Sequence, residues 1–330
     1  MDGNVQRMVG WGALVLAAAA TFWFGSKVLD VQGLDQLSVV PRKTTHTVSG
    51  RTAERTEHPN DKIRIASFNI QVFGEQKLSK PDVMAVLADC IHDFDVVAIQ
   101  EIRAKGQDIL PRFIDLINAG GRRYDYAIGP RIGRTVSKEQ YAFIYDTETI
   151  EIDRDAMYTV DDPDDMLHRE PLVAGFRAKA APANEAFTFT LVNIHTDPDE
   201  TDRELDALAE VFQAVRGDGR GEDDIIIVGD LNVDDEHLGR MGQVPNITAA
   251  IYGVPSNTRG TALYDNILFD SRATVEFSGR AGVNDLMKQY KLSEDQALEV
   301  SDHFPVWAEF SVVEGGEAGR LATRDDRGVR

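Results

Sequence analysis

Apolar, β-branched runs that follow one another without a helix between them constrain this fold more than any other feature of the chain. Such runs occur at Ile63 to Phe73, Asp95 to Ile102, Tyr141 to Tyr145, Phe187 to His195, Ile225 to Asn232, Tyr264 to Phe269 and Phe304 to Phe310, and each is a predicted strand. Helical periodicity is restricted to Pro81 to Asp93, Gln107 to Asn118 and Glu200 to Val215. A doubly wound sheet needs a crossover helix for nearly every strand, so the pattern argues against it. Two packed sheets covered by outer helices accommodate the same elements, in a domain expected over residues 62–312.

The ends of the chain differ in character from its middle. Met8 to Gly25 reads MVGWGALVLAAAATFWFG without a charge, close to the ~20 residues that a helix needs to cross a bilayer. Residues 1–30 are therefore expected to form a transmembrane anchor, and the alanine run ending at Ala20 leaves a cleaved signal segment or a buried helix as alternatives. Arg7 and Lys27 flank the segment almost evenly, so charge sets no orientation. Residues 31–61 are polar and threonine-rich without periodicity and read as a flexible linker. Residues 313–330, rich in Gly, Arg and Asp, read as a disordered tail.

Composition narrows the function. A formal net charge of -20 repels polyanions on average, which weighs against a protein that coats nucleic acid. It weighs less against an enzyme whose carboxylates hold metal. The single cysteine, Cys90, rules out an internal disulfide and any cysteine-based zinc site. In its apolar surroundings it is expected to be a small buried side chain.

The strands end in chemistry. Asn69 stands in IASFNI, Glu101 in VVAIQEIR, His195 in LVNIHTD, Asp230 and Asn232 in IIIVGDLN, Asp265 in LYDNILF, and Asp302 with His303 in VSDHFPV. One such residue is usually a cap, a turn former or a satisfied core group. A whole set of Asn, Asp, Glu and His is harder to account for by capping, because a buried carboxylate costs stability unless metal or hydrogen bonds compensate. Asn69, Glu101 and Asp302 offer hard oxygen donors that suit Mg²⁺, Mn²⁺ or Ca²⁺ rather than zinc. A cation there would neutralise a phosphodiester oxygen. His303, oriented by Asp265, could accept a proton from water, and His195 could donate one to the leaving oxygen or hold the phosphate. No Gly-x-Ser-x-Gly elbow, Walker loop or GxGxxG turn is present in the sequence.

Taken together, SFNIQVFGEQKLS, IQEIR, KEQYAFIYD, REPL, NIHTDPDE, GDLNVDD, YDNILF and SDHFPV resemble, in order and spacing, the endonuclease/exonuclease/phosphatase superfamily, and most closely its deoxyribonuclease I-like branch. QE, GDxN and SDH are shared across the superfamily, whereas FNIQVFGEQKLS and the combination of KEQYAFIYD with REPL are more specific to the deoxyribonuclease I type. The resemblance implies a four-layer α/β sandwich with the active site at one edge of two packed sheets. It implies that Asn69, Glu101, Asp230 and Asp302 surround cation and phosphate and that Asn232 helps bind the phosphate. It further implies that His195 and His303 are the acid and base, paired with Glu139 and Asp265, and that Arg103 and Arg134 touch DNA near the minor groove.

The sequence also departs from that family. Ser137 stands where a groove-contacting tyrosine is found, which removes a stacking surface for duplex DNA. Both family disulfides are missing, with Asp235 and Ala262 at the place of one and a shortened loop from Asp161 to Glu170 at the other. Asp162, Asp165 and Glu170 in that loop resemble a structural calcium site, and a solvated acidic turn is the alternative reading.

The expected protein is thus a Mg²⁺- or Mn²⁺-dependent endonuclease, with Ca²⁺ as a further ion, that takes DNA as substrate and has no obligate protein partner. It is expected to be tethered to a membrane with its domain outside the cytoplasm, or secreted after cleavage. A phosphodiesterase or phosphatase acting on a phospholipid or another small phosphate ester is the runner-up. A catalytically dead binding module comes third, because the candidate ligands and both histidines are all present.

Overall fold

The computed structural model describes residues 61–134, 138–179 and 182–315. The segment read as an anchor, nearly all of the linker, Ser137, and residues 316–330 lie outside the described residues. Among the described residues no helix is long and apolar enough to cross a membrane.

In chain order the elements are β1 (Lys62–Phe73), α1 (Glu75–Leu78), α2 (Pro81–Ile91), β2 (Val96–Ile102), α3 (Ile109–Asn118), β3 (Tyr124–Ile128), β4 (Gln140–Asp146), β5 (Ile150–Thr159) and β6 (Leu172–Ala178). They continue with β7 (Thr188–His195), α4 (Thr201–Arg216), β8 (Ile225–Asp230), β9 (Ile247–Ala249), β10 (Asp265–Asp270), β11 (Phe277–Val283), α5 (Leu286–Tyr290), α6 (Glu294–Val300) and β12 (Val306–Ser311). Two six-stranded sheets result, in the orders β11-β12-β1-β2-β4-β3 and β5-β6-β7-β8-β10-β9. At the centre of each lies one parallel pair, β1 with β2 and β7 with β8.

Hydrophobic burial stacks these sheets into four layers. Between them, Phe143, Phe176, Phe187, Phe189 and Phe310 are fully buried and pack ring against ring. On the outer face of the first sheet, Leu87 and Ile91 of α2 and Phe113 and Ile117 of α3 cover Phe68 and Ile99. On the outer face of the second, Leu205, Leu208 and Phe212 of α4 cover Val192 and Ile227. The four-layer α/β sandwich expected from the sequence is the fold of the domain.

The strands that sequence patterning overlooks are β6 and all four sheet edges, β3, β5, β9 and β11. Edge strands bury less and carry charge or glycine, as in IEIDRDAMYT of β5 and FSGRAGV of β11, so their alternation is weak. The ordered chain also runs past residue 312. Val313 forms a bridge with Ala186, and the Glu314 N–H donates to the Glu185 carbonyl at 2.9 Å, so these residues belong to the domain rather than to a disordered tail. Cys90 is buried in α2, as expected.

Candidate active site

Strand direction explains why the chemistry collects at one edge. The parallel pairs bring the carboxyl ends of β1, β2, β7 and β8 to the same side, carrying Asn69, Glu101, His195 and Asp230. Register does the rest in the second sheet, where His195 pairs with Asp230 and Asp230 with Asp265 across three adjacent strands. That row depends on Gly229, because a Cβ there would lie 1.9 Å from the Ile194 carbonyl oxygen.

Two histidine–carboxylate pairs face one another across Asp230. His195 Nδ1 lies 2.9 Å from Glu139 Oε1, and His303 Nδ1 lies 2.8 Å from Asp265 Oδ2. The Ser256 hydroxyl donates to the same Asp265 oxygen at 2.7 Å and fixes it. Each Nε2 is 3.5 Å from Asp230 Oδ2, which also accepts from Asn69 Nδ2 at 3.0 Å. Asp230 Oδ1 accepts from the Asn232 N–H, and the Asn232 side chain donates to the Thr196 carbonyl.

The first sheet contributes the oxygen donors. Glu101 Oε2 accepts from the Val72 N–H at 2.8 Å, and Glu101 Oε1 lies 3.5 Å from Asn69 Nδ2. Val72, Glu101 and Asn232 all have positive φ, a conformation that a β-branched residue such as Val72 adopts only under constraint. Strain therefore gathers where the site residues sit. Asp302 accepts from Gln71 Nε2 at 2.8 Å and lies 3.8 Å from His303 Nε2. Arg103 Nη2 bridges Glu139 at 3.2 Å and Glu101 at 3.4 Å, which draws it into the site.

Burial opposes charge on both histidines, yet their neighbours prevail. Glu139 raises the affinity of His195 for its proton, and Asp265 with Asp230 raises that of His303 well above the ordinary range. Burial pushes the Asp265 carboxyl up, with the His303 imidazolium opposing it. For Glu101 the push from burial is outweighed by His195, the Val72 N–H and Arg103, which hold it low and ionised.

A divalent cation fits this donor set. Asn69 Oδ1 is buried without a hydrogen-bond partner, and ionised Glu101 stands beside Asn69. Asp230, Asp265 and His303 also place ligand atoms within 4.8 Å of one another. His303 and Asp265 are already bonded to each other, so the orphaned Asn69 oxygen with Glu101 is the better seat.

Other sequence expectations fare differently. Asp162, Asp165 and Glu170 do not converge: among the described residues they form no group of neighbouring metal-ligating atoms. Asp162 instead accepts from the Leu167 N–H, and Asp165 accepts from Arg134 Nε at 2.8 Å. Asp162 and Asp165 are thus bonded to their own loop and to Arg134, as in the alternative reading of a solvated acidic turn. Arg134 is bound at the same time to Glu200 at 2.8 Å, so two carboxylates of its own chain neutralise the guanidinium expected to meet DNA. Where a family disulfide would lie, Asp235 accepts from the Gly253 N–H at 3.0 Å.

Some residues were not anticipated. Arg169 is buried and donates to the His195 carbonyl at 3.1 Å while lying 3.5 Å from Glu139. The Tyr141 hydroxyl accepts from the His195 N–H at 2.9 Å. Both lie in motifs, REPL and KEQYAFIYD, whose composition gave no chemical reason to single them out. Beside the site a cavity of about 550 Å³ opens, lined by Asn232, Asp234, His237, Pro255 and Tyr264 among others.

The profile of the Endonuclease/Exonuclease/phosphatase family matches residues 66–303. The chain belongs to this family. Within it, the chain is 33% identical over 261 residues to deoxyribonuclease gamma of Rattus norvegicus, covering 74% of this chain and 83% of the relative. It is 29% identical to deoxyribonuclease-1-like 2 of Mus musculus, covering 75% and 91%. These relatives place it in the deoxyribonuclease I-like branch. In fold it is similar to an endonuclease/exonuclease/phosphatase family protein from Bacteroides thetaiotaomicron, with a TM-score of 0.53 at 17% identity over 77% of this chain and 98% of the other. A humanized D. rerio TDP2 superposes equally well, with a TM-score of 0.53 at 15% identity over 76% and 98%. Membership of the endonuclease/exonuclease/phosphatase family makes the protein a hydrolase of phosphodiester bonds, in a family that generally depends on a divalent metal.

Proposed function

We propose that the protein is a divalent-cation-dependent endonuclease that cuts DNA. The observation that carries this reading is the pair of histidines, each backed by a carboxylate at Nδ1 and each presenting Nε2 to the same oxygen of Asp230. Its relatives named as deoxyribonucleases support DNA as the substrate.

Asn69, Glu101 and Asp302 would hold a Mg²⁺ or Mn²⁺ ion, which when bound supplies charge neutralisation for a phosphodiester oxygen. His303 Nε2 takes a proton from the water that attacks phosphorus, with Asp265 stabilising the imidazolium that forms. As the bond from phosphorus to the leaving oxygen breaks, His195 Nε2 gives that oxygen its proton, and Glu139 fixes the ring for the transfer. The products are a phosphate monoester and an alcohol. Asn232 and Arg103 are suited to steady the phosphate, Arg103 through its place between Glu101 and Glu139.

The charge-free run from Met8 to Gly25 supports a membrane tether. Incubating the full chain with plasmid DNA, RNA and sphingomyelin vesicles, each with Mg²⁺ and with chelator, tests the substrate. Nicking of plasmid that chelator abolishes is the expected result, and turnover of sphingomyelin above that of DNA would overturn it.

A further inference from the structure

Carboxylates gather a second time at the other end of β8. Asp224 immediately precedes the strand that ends in Asp230, so its cluster lies about 20 Å from the active site at roughly 3.3 Å per residue. Glu276 comes from the start of β11 and Glu314 from just beyond β12, so the cluster joins the second sheet to the first. Ligand oxygens of Asp224, Glu276 and Glu314 lie within 4.8 Å of one another, and Asp224 is shared with a neighbouring group of Glu222 and Asp223.

These groups are not solvated surface acids. Asp224 is 0% exposed and Glu276 4%, and neither Asp224 oxygen nor Glu276 Oε2 has a hydrogen-bond partner. The Thr274 hydroxyl, 1% exposed, lies against Asp224 as a neutral donor and brings no compensating charge. The strongest charges acting on Asp224, after its burial, are Glu276, Glu222 and Glu314, with no arginine or lysine among them. The remaining oxygens are used: Glu276 Oε1 accepts from the Gly315 N–H, and Glu314 Oε2 from the Thr188 N–H. What is left is a largely buried group of carboxyl groups whose charged form is costly without a compensating cation.

We propose that Asp224, Glu276 and Glu314 hold a calcium ion that ties the ends of the two sheets together. Their ligand oxygens all lie within 4.8 Å of one another, close enough for one ion to reach all three residues. Magnesium keeps several waters and is seldom held by an all-protein cage, so the buried setting favours calcium.

Calcium chloride titrated into the full chain by calorimetry tests this, using an E101Q/D302N variant in which the active site is disabled for metal. That variant should still bind one calcium and gain on the order of 5 °C in melting midpoint at saturating calcium. Adding D224N and E276Q should abolish both. If the combined variant does not fold, D224N alone in the same background serves, because it is isosteric and relieves repulsion. No calcium binding by E101Q/D302N would overturn the proposal, and so would binding that survives D224N.

Discussion

His195 and His303 approach one Asp230 oxygen from opposite sides, each with Nε2 at 3.5 Å and each held from behind by its own carboxylate. The pairing gives the two proton transfers of the proposed hydrolysis, one from the attacking water and one to the leaving oxygen, to separate histidines. Replacing either histidine by alanine should lower kcat on supercoiled plasmid on the order of 10²- to 10⁴-fold with the fold intact. The double variant should lose less than the product of the single losses, since the two act as a unit. Wild-type nicking by a folded single variant would refute the assignment.

The electrostatics set the pH profile. Burial disfavours the charged form of His303, but Asp265 and Asp230 outweigh it, so its folded pKa lies well above the ordinary value. As the proposed base it must be neutral, so activity should fall as pH drops through this raised pKa. D265N removes the largest of the raising influences and should move the acid limb to lower pH while reducing the maximal rate. An acid limb that stays in place in D265N would mean that His303 is not the titrating base.

What the sequence made legible follows from where the residues sit. Asn69, Glu101, His195 and Asp230 close the central strands, where burial on both faces gives the longest apolar runs, and a polar residue there stands out. Arg169 and Tyr141 act through the His195 backbone, a contact made between elements distant in sequence that no spacing rule reveals. Glu222, Asp224, Glu276 and Glu314 each adjoin a strand end and read singly as turn residues. Only the packing of one sheet on the other brings them together. The Asp162 to Glu170 loop shows the converse, because its acidic composition suggested a site while its carboxylates turn to their own backbone and to Arg134.

Gly229 is the one residue of GDLN whose importance is steric. A methyl group there would meet the Ile194 carbonyl oxygen at 1.9 Å, a backbone atom that cannot rotate away. Gly229→Ala should therefore pry β8 from β7 and displace Asp230 from His195. Chemical denaturation should show a loss of about 4 kcal/mol or more, or no folded protein. A variant as stable as the parent would show that the two strands can separate freely.

Away from the site, a buried polar bridge also links the two sheets. Gln100 Nε2 donates to Asn193 Oδ1 at 2.7 Å, while Asn193 Nδ2 donates to the Ile99 and Ala142 carbonyls, all fully buried. Asn193→Leu fills the volume but removes the acceptor of one Gln100 N–H, whose other donation goes to Ser67 Oγ at 3.1 Å, and this should cost about 1–3 kcal/mol. Pairing it with Gln100→Leu should restore part of that loss, because both partners are then apolar. The double variant proving worse than the sum of the two single changes would count against the bridge.

The acidic cluster should also make stability depend on pH in a direction opposite to that of ordinary ion-paired carboxylates. In the folded protein burial raises Glu222 and Glu276 to about 7 and Asp224 to about 9, against about 4 in the unfolded chain. The folded state therefore holds more protons over this interval, and stability falls as pH rises. Their contribution is fully present below about pH 4 and is lost progressively as pH climbs through the folded values. Other carboxyl groups, such as Glu101, shift the opposite way, so the comparison must be made against a variant that lacks only the cluster. In chelator, D224N/E276Q should melt close to the parent at pH 5 and well above it at pH 9. A gap that does not widen with pH would show that these carboxylates are as well solvated in the folded protein as in the unfolded chain.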